Sequence, residues 1–150
     1  MLRLACLEEA PQLATVKNGF AAPEVIARLQ ALATGNFIWP VWWVDNQPRG
    51  WALVHWEGKP TATEYPDISD LYVHPDWRGR GIGTRILLGC EAFVRAAGHT
   101  RVGLAVNPQL NPRAYTLYKR LGYSAVSQEP YLDGVYNGVE DWVIDLVKQI

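Results

Sequence analysis

The residues with the clearest chemical potential form the run Arg78-Gly79-Arg80-Gly81-Ile82-Gly83-Thr84. Glycines let backbone N–H groups approach a ligand without a Cβ in the way. A helix starting here adds unpaired donors and the positive end of its dipole. Together these features suit a phosphate or pyrophosphate, and Arg78 and Arg80 add fixed positive charge. Two familiar nucleotide loops fit poorly. A P-loop needs Lys and then Ser or Thr after its last glycine, whereas Gly83 is followed by Thr84-Arg85. A dinucleotide loop runs G-x-G-x-x-G, with an acid about 20 residues later. Here the glycines run G-x-G-x-G, and Arg101–Val106 contains no acid. Taken alone, the motif is also compatible with a glycine-rich turn that binds nothing.

The surrounding pattern supplies a strand before the loop and a helix after it. Asp67–His74 is a strand whose alternation slips: Ile68 starts one phase, and Leu71 and Val73 follow the other. Such a slip predicts a β-bulge. Gly81–Ala97 reads as a helix, with Ile86, Cys90, Phe93, Val94 and Ala97 on one face and Gly98 as its stop. Arg101–Val106 is a further strand. The next helix has Asn111 as N-cap, Pro112 in the first turn and Gly122 after the last. Its apolar face is Ala114, Leu117, Tyr118 and Leu121.

Upstream, Leu2–Leu7 predicts a strand, and Glu8–Asn18 and Pro23–Ala33 predict helices. Phe37–Val44 and Gly50–Glu57 predict a hairpin around Asp45-Asn46-Gln47-Pro48. Lys59–Pro66 is a polar loop. Tyr123–Ser127 and Glu140–Val147 close the chain as strands. This order predicts an α/β (α+β) sheet with helices covering its faces.

Length and composition bound the rest. A chain of 150 residues, 49% hydrophobic, predicts one domain with a core of its own. Fourteen Lys and Arg against fifteen Asp and Glu argue against a nucleic-acid binder. Cys6 and Cys90 follow no ligand or disulfide spacing, and both are expected in the core, in a reducing compartment. No apolar run has the length of a membrane span, and Met1-Leu2-Arg3-Leu4 lacks a signal-peptide character. The expectation is a soluble, cytoplasmic protein with no membrane partner.

The sequence resembles the GCN5-related N-acetyltransferase (GNAT) family. Arg78, Gly81 and Gly83 match the family's [QR]-x-x-G-x-[GA] loop, and Asp70–Pro75 resembles the end of the strand before it. A second family pattern, N-x-x-A-x-x-L-Y-x-x-x-G-[FY], matches Asn111, Ala114, Leu117, Tyr118, Gly122 and Tyr123. The close likeness covers residues 67–127, and the element order agrees over nearly the whole chain, residues 1–150. It implies a mixed, mostly antiparallel sheet with splayed central strands and flanking helices. It also implies acetyl-CoA as acetyl donor, with no metal. Leu71, Tyr72 and Val73 would hold the pantetheine arm. Gly79, Arg80, Gly81, Ile82, Gly83 and Thr84 would hold the pyrophosphate with Arg78, and Asn111 would contact the cofactor arm.

The implied reaction is attack of a neutral amine on the thioester. A backbone N–H of Tyr72 or Val73 would stabilise the oxyanion, and Tyr118 is the family-matched general acid. Tyr118 also lies on an apolar helix face, where a tyrosine can simply pack. No general base matches directly. Ala105 and Val106 stand where some members carry a carboxylate, and Ser69 stands where others carry Glu. Four residues separate Val106 from Asn111 where three are common. Asp67 is the candidate base, through water, with Glu64 farther off and His55 and His74 as weaker candidates. Deprotonating a lysine-like amine at pH 7 costs about 4.6 kcal/mol, against about 1.4 for an α-amino group. A weak base therefore leans the acceptor toward peptide N-termini or small amines of lowered pKa.

Residues 121–147 hold Glu129, Asp133, Glu140, Asp141 and Asp145 without Lys or Arg, an acidic stretch that would attract a cationic amine. Pro130–Tyr136 has the aromatic content of a binding loop or of ordinary packing. Trp39, Trp42, Trp43, Trp51 and Trp56 crowd the hairpin. Most are expected in the core, leaving one or two for the acceptor pocket or a homodimer surface. A non-catalytic acyl-CoA-binding module is the rival function, and a dinucleotide-binding protein a weaker one.

Overall fold

A computed structural model describes all residues 1–150. Strands β1 (Leu2–Leu4), β2 (Phe37–Ile38), β3 (Pro40–Val44), β4 (Gln47–His55) and β5 (Asp67–Val73) precede β6 (Arg101–Val106), β7 (Ser124–Ala125), β8 (Tyr131–Tyr136) and β9 (Val139–Gln149). Helices α1 (Ala10–Leu13) and α2 (Ala22–Ala31) lie between β1 and β2. Helix α3 (Ile82–Ala96) follows β5, and α4 (Pro112–Arg120) follows β6. The sheet runs β1-β3-β4-β5-β6-β9-β7, with β2 on β4 and β8 on β9. Every pairing is antiparallel except β5 with β6.

Side-chain alternation divides β4 between two cores. Ala52 and Val54 face Ile86, Leu87, Cys90 and Val94 of α3, a core that continues through Leu104, Tyr118 and Leu146. Trp51 and Leu53 face the opposite side, against Leu13, Val25, Leu29, Trp39 and Val41. Both faces of the sheet centre are thus covered, which fixes β5 between its neighbours.

The site is positioned by two irregularities. In the first, β5 carries an extra residue relative to β4: the register runs from Trp51↔Tyr72 to Leu53↔Ser69. Asp70 sits in the left-handed region there, at φ 50°. This is the bulge that the phase slip predicts. In the second, β5 and β6 pair only at Asp67↔Gly103 and Ile68↔Leu104 and then part. Beyond Ile68 the two central strands are splayed.

Several boundaries differ from expectation. Residues 131–136, read as a loop, form strand β8, because pairing with β9 takes up their backbone groups. The helix expected over Glu8–Asn18 is a short 3-10 turn followed by the four-residue α1, and β1 ends at Leu4. The hairpin turn is only Asp45-Asn46, both at positive φ (50° and 62°), so Gln47 and Pro48 already belong to β4. Cys6 is exposed, whereas Cys90 is buried as expected. Ala97 is exposed; the buried side of α3 instead includes Ile82, Leu87 and Glu91. Trp39, Trp43 and Trp51 are buried, and Trp42 and Trp56 pack against the core. No helix is long and apolar enough to cross a membrane.

Candidate functional site

The loop before α3 is held open by its glycines. Gly79 and Gly81 have φ of 76° and 78°, a conformation that costs an L-residue strain. The backbone N–H groups from Gly79 to Thr84 donate to no acceptor in the chain. The first helical donation is Arg85 N–H to Gly81 O, at 3.1 Å. Six consecutive free donors at a helix start form a cradle with the geometry to receive an anion.

The two arginines beside the cradle are partly committed. Arg78 donates from Nε to Val73 O (2.9 Å) and lies over the Tyr72 ring. Arg80 lies over Trp77, 4.4 Å from the ring centroid, and reaches Asp76 O. A cavity of about 650 Å³ runs from the cradle along β5 to α4. It is lined by Leu71, Tyr72 and Val73, and by Arg78, Arg113 and Arg120, with no carboxylate. Arg113 and Arg120 are two helical turns apart, a spacing from which their shared face follows. Arg80 does not line this cavity.

A second cavity of about 690 Å³ lies on the far side of the splay. Asp67, Asp70, Asp133 and Asp141 line it, with Lys59 and His55 as its basic groups. Only Asn111 and Tyr118 line both cavities. A cationic cavity and an acidic one therefore meet at Tyr118.

The placement of Tyr118 follows from the end of α4. Gly122, at φ 100°, terminates the helix. Gly122 N–H donates to Lys119 O (3.1 Å) and Tyr123 N–H to Tyr118 O (3.0 Å), the paired bonds of a Schellman motif. The usual apolar contact is present too: the Tyr118 and Tyr123 rings pack edge-on at 6.2 Å. Tyr123 is anchored in turn by donating to the buried Glu91 (2.9 Å), which also pairs with Lys148 (2.8 Å). Burial raises the pKa of Tyr118, so its phenol keeps its proton. Its hydroxyl makes no hydrogen bond within the chain. At the other end of α4, Asn111 takes the N-cap position but gives no side-chain cap. Asn107 orders the preceding turn instead, its Oδ1 accepting from Gln109 and Leu110 N–H.

Asp67 is 7% exposed, and burial raises its pKa to about 6 against the partial offset of Lys59. Lys59 Nζ lies 3.0 Å from Asp67 Oδ1 and 2.9 Å from Asp145 Oδ1, as an ion pair rather than well-directed hydrogen bonds. Asp145 also accepts from Tyr131 (2.6 Å) and Thr61 (2.7 Å). Burial works against its charge, but those hydrogen bonds and Lys59 leave its pKa below the usual value. Ser69 Oγ and His55 Nε2 are 2.8 Å apart in the same cavity. Glu64 lies outside both cavities, and His74 accepts from Asp76 N–H in its turn, away from them.

Asp70 is a hub the sequence does not announce. Its carboxylate receives Lys17 Nζ (2.7 Å), Arg28 (2.9 Å) and Trp51 Nε1 (3.1 Å). Lys59 and Asn107 were likewise not singled out by the sequence, since Lys59 is tied to Asp145, 86 residues away, and Asn107 to Asp141, 34 residues away. None of the five hairpin tryptophans lines either cavity.

Comparison with known proteins agrees with this architecture. The model of the acetyltransferase (GNAT) family matches residues 7–123. An uncharacterised N-acetyltransferase of Methanocaldococcus jannaschii is 33% identical over 82 residues, 53% of this chain and 36% of that protein. The thialysine N-ε-acetyltransferase of Bos taurus is 37% identical over 67 residues, 45% of this chain and 36% of its own length. The chain thus spans about a third of the length of these two relatives. A phosphinothricin acetyltransferase from Sinorhizobium meliloti, solved with acetyl-CoA, superposes with a TM-score of 0.78 at 17% identity. That likeness covers 100% of this chain and 88% of the other.

Proposed function

The chain belongs to the GNAT acetyltransferase family, and from that premise we propose that residues 1–150 form one catalytic domain moving an acetyl group from acetyl-CoA to a primary amine. The observation that carries this reading is the meeting of a cationic and an acidic cavity at Tyr118. An anionic donor and a cationic acceptor would enter from opposite sides.

The donor side fits acetyl-CoA. The free N–H groups from Gly79 to Thr84 match a pyrophosphate, and Arg78, Arg113 and Arg120 supply countercharge. The β6-facing edge of β5 beyond Ile68 is unpaired and offers Leu71, Tyr72 and Val73 to an extended amide-bearing arm. Asn111 stands beside that arm. His74 N–H donates to Arg49 O on β4 (2.8 Å). Alternation then turns Val73 N–H toward the opening, which favours Val73 over Tyr72 as oxyanion donor.

On the acceptor side, Asp133 and Asp141 form no ion pair and are free to draw in an ammonium group. Asp67 stands in the same cavity as a candidate proton acceptor through water, with Lys59 opposing its protonation. The amine attacks the thioester carbonyl, and Tyr118 gives its phenolic proton to the departing thiolate. Small amines and peptide N-termini are the acceptor classes.

Calorimetry with acetyl-CoA and a CoA-release assay over peptides, polyamines, aminoglycosides and amino acids test the proposal. Micromolar binding and transfer to one acceptor class are expected. No acetyl-CoA binding would sink it, and binding without transfer across the panel would favour an acyl-CoA-binding module.

A further inference from the structure

The acceptor cavity contains a second polar pair besides Asp67, and it lies closer to the opening in the sheet. Resting on the acetyl-transfer reading, we propose that Ser69 takes the proton from the acceptor nitrogen and passes its own to His55, which acts behind it as a positioning residue.

The geometry comes from strand register. His55 pairs with Asp67 and Leu53 with Ser69 across β4 and β5, so His55 and Ser69 stand on one face as diagonal neighbours. Their side chains meet at 2.8 Å, and both line the acidic cavity together with Tyr118. Ser69 is the last residue before the bulge at Asp70. It is two residues nearer Val73 than Asp67 is, roughly 6–7 Å of strand. Asp67, moreover, is held by Lys59, whereas the only partner of Ser69 is His55.

The surroundings of His55 keep its imidazole neutral and oriented. Burial, and then the positive charge of Arg28 on α2, lower its pKa below the usual 6.5. Arg28 is itself bound to Asp70 of the bulge. Asp67 on β5 stands opposite His55, paired with Lys59 from the β4–β5 loop. Phe37 on β2 lies against the ring at 5.8 Å. In the Nδ1–H tautomer, Ser69 donates to the lone pair on Nε2 and can accept from the substrate with the same oxygen.

The proton balance closes. Attack forms the C–N bond and leaves the nitrogen cationic. Ser69 Oγ accepts that proton as its hydroxyl proton moves to His55 Nε2, giving an imidazolium. The C–S bond then breaks, and Tyr118 protonates the thiolate. Solvent resets both groups, taking one proton from His55 and returning one to Tyr118. Because the proton leaves after attack, from a nitrogen made strongly acidic, a weakly basic imidazole suffices.

The test uses the best acceptor of the amine panel and follows kcat from about pH 5 to 9. Wild type is expected to rise with pH through an inflection below 6.5. His55→Gln and Ser69→Ala should each lower kcat by about 10²-fold and lose that inflection. Ser69→Thr, which keeps the hydroxyl, should restore both, and acetyl-CoA affinity by calorimetry should stay unchanged in all three. An inflection that survives His55→Gln and disappears in Asp67→Asn would overturn the relay and assign the proton to Asp67. Undiminished turnover in Ser69→Ala would overturn it as well. If wild type itself neither binds acetyl-CoA nor transfers, the acetyl-transfer reading falls and takes the relay with it.

Discussion

At the scale of single residues, Tyr118 decides whether the meeting of the two cavities is chemical or only architectural. Its hydroxyl has no partner in the chain, and burial holds its proton. Tyr118→Phe keeps the ring that packs on Tyr123 and removes only the hydroxyl proposed as the acid. Turnover should therefore fall by about 10²-fold or more, while acetyl-CoA affinity by calorimetry stays nearly constant. Unchanged turnover would return Tyr118 to a packing role. Gly81 offers a complementary test of the cradle. A Cβ there meets nothing within 4 Å, so Gly81→Ala changes only the cost of φ 78°. That cost, about 1–2 kcal/mol, should appear as weaker acetyl-CoA binding or as a lower melting temperature. Calorimetry and thermal unfolding together read both.

At the scale of elements, the bulge in β5 and the C-terminus of α4 set the site. The bulge places Asp70 in a left-handed conformation and binds it to Lys17, Arg28 and Trp51. One carboxylate thus ties the opening in the sheet to the α1–α2 segment. Asp70→Ala would leave two cations and an indole N–H without their acceptor, and should cost about 2–3 kcal/mol by denaturant unfolding. The second element explains a sequence pattern physically. Tyr118, Gly122 and Tyr123 keep fixed spacing because they are the third-last helical residue, the left-handed stop and the residue after it in one Schellman motif. That much was legible in the sequence, as was the bulge from the slipped alternation of Ile68, Leu71 and Val73. The partners of Asp70 were not legible, because Lys17 and Arg28 are 53 and 42 residues away and carry no pattern of their own.

At the scale of the whole molecule, distant segments make the acidic cavity a coupled charge system. Lys59 sits between Asp67 and Asp145, contributed by the β4–β5 loop, β5 and β9. Asp67 has a folded pKa of about 6, above its usual 3.8, so the folded state holds its proton more tightly than the unfolded chain does. Its contribution to stability is therefore greatest at low pH and declines as pH rises toward 6. Lys59→Met would remove the offsetting cation, move that pKa higher and extend the decline. The loss in melting temperature relative to wild type should thus be larger at pH 7 than at pH 4.5, as thermal unfolding at the two values would show. By itself, the sequence determined what local rules govern: the glycine loop, the helix stops, the bulge, and through them the family. Tertiary structure alone decided which charges are paired, which carboxylates stay free, and that His55 meets Ser69. Those facts depend on strand register and on loops closing across the sheet, and no local spacing encodes them.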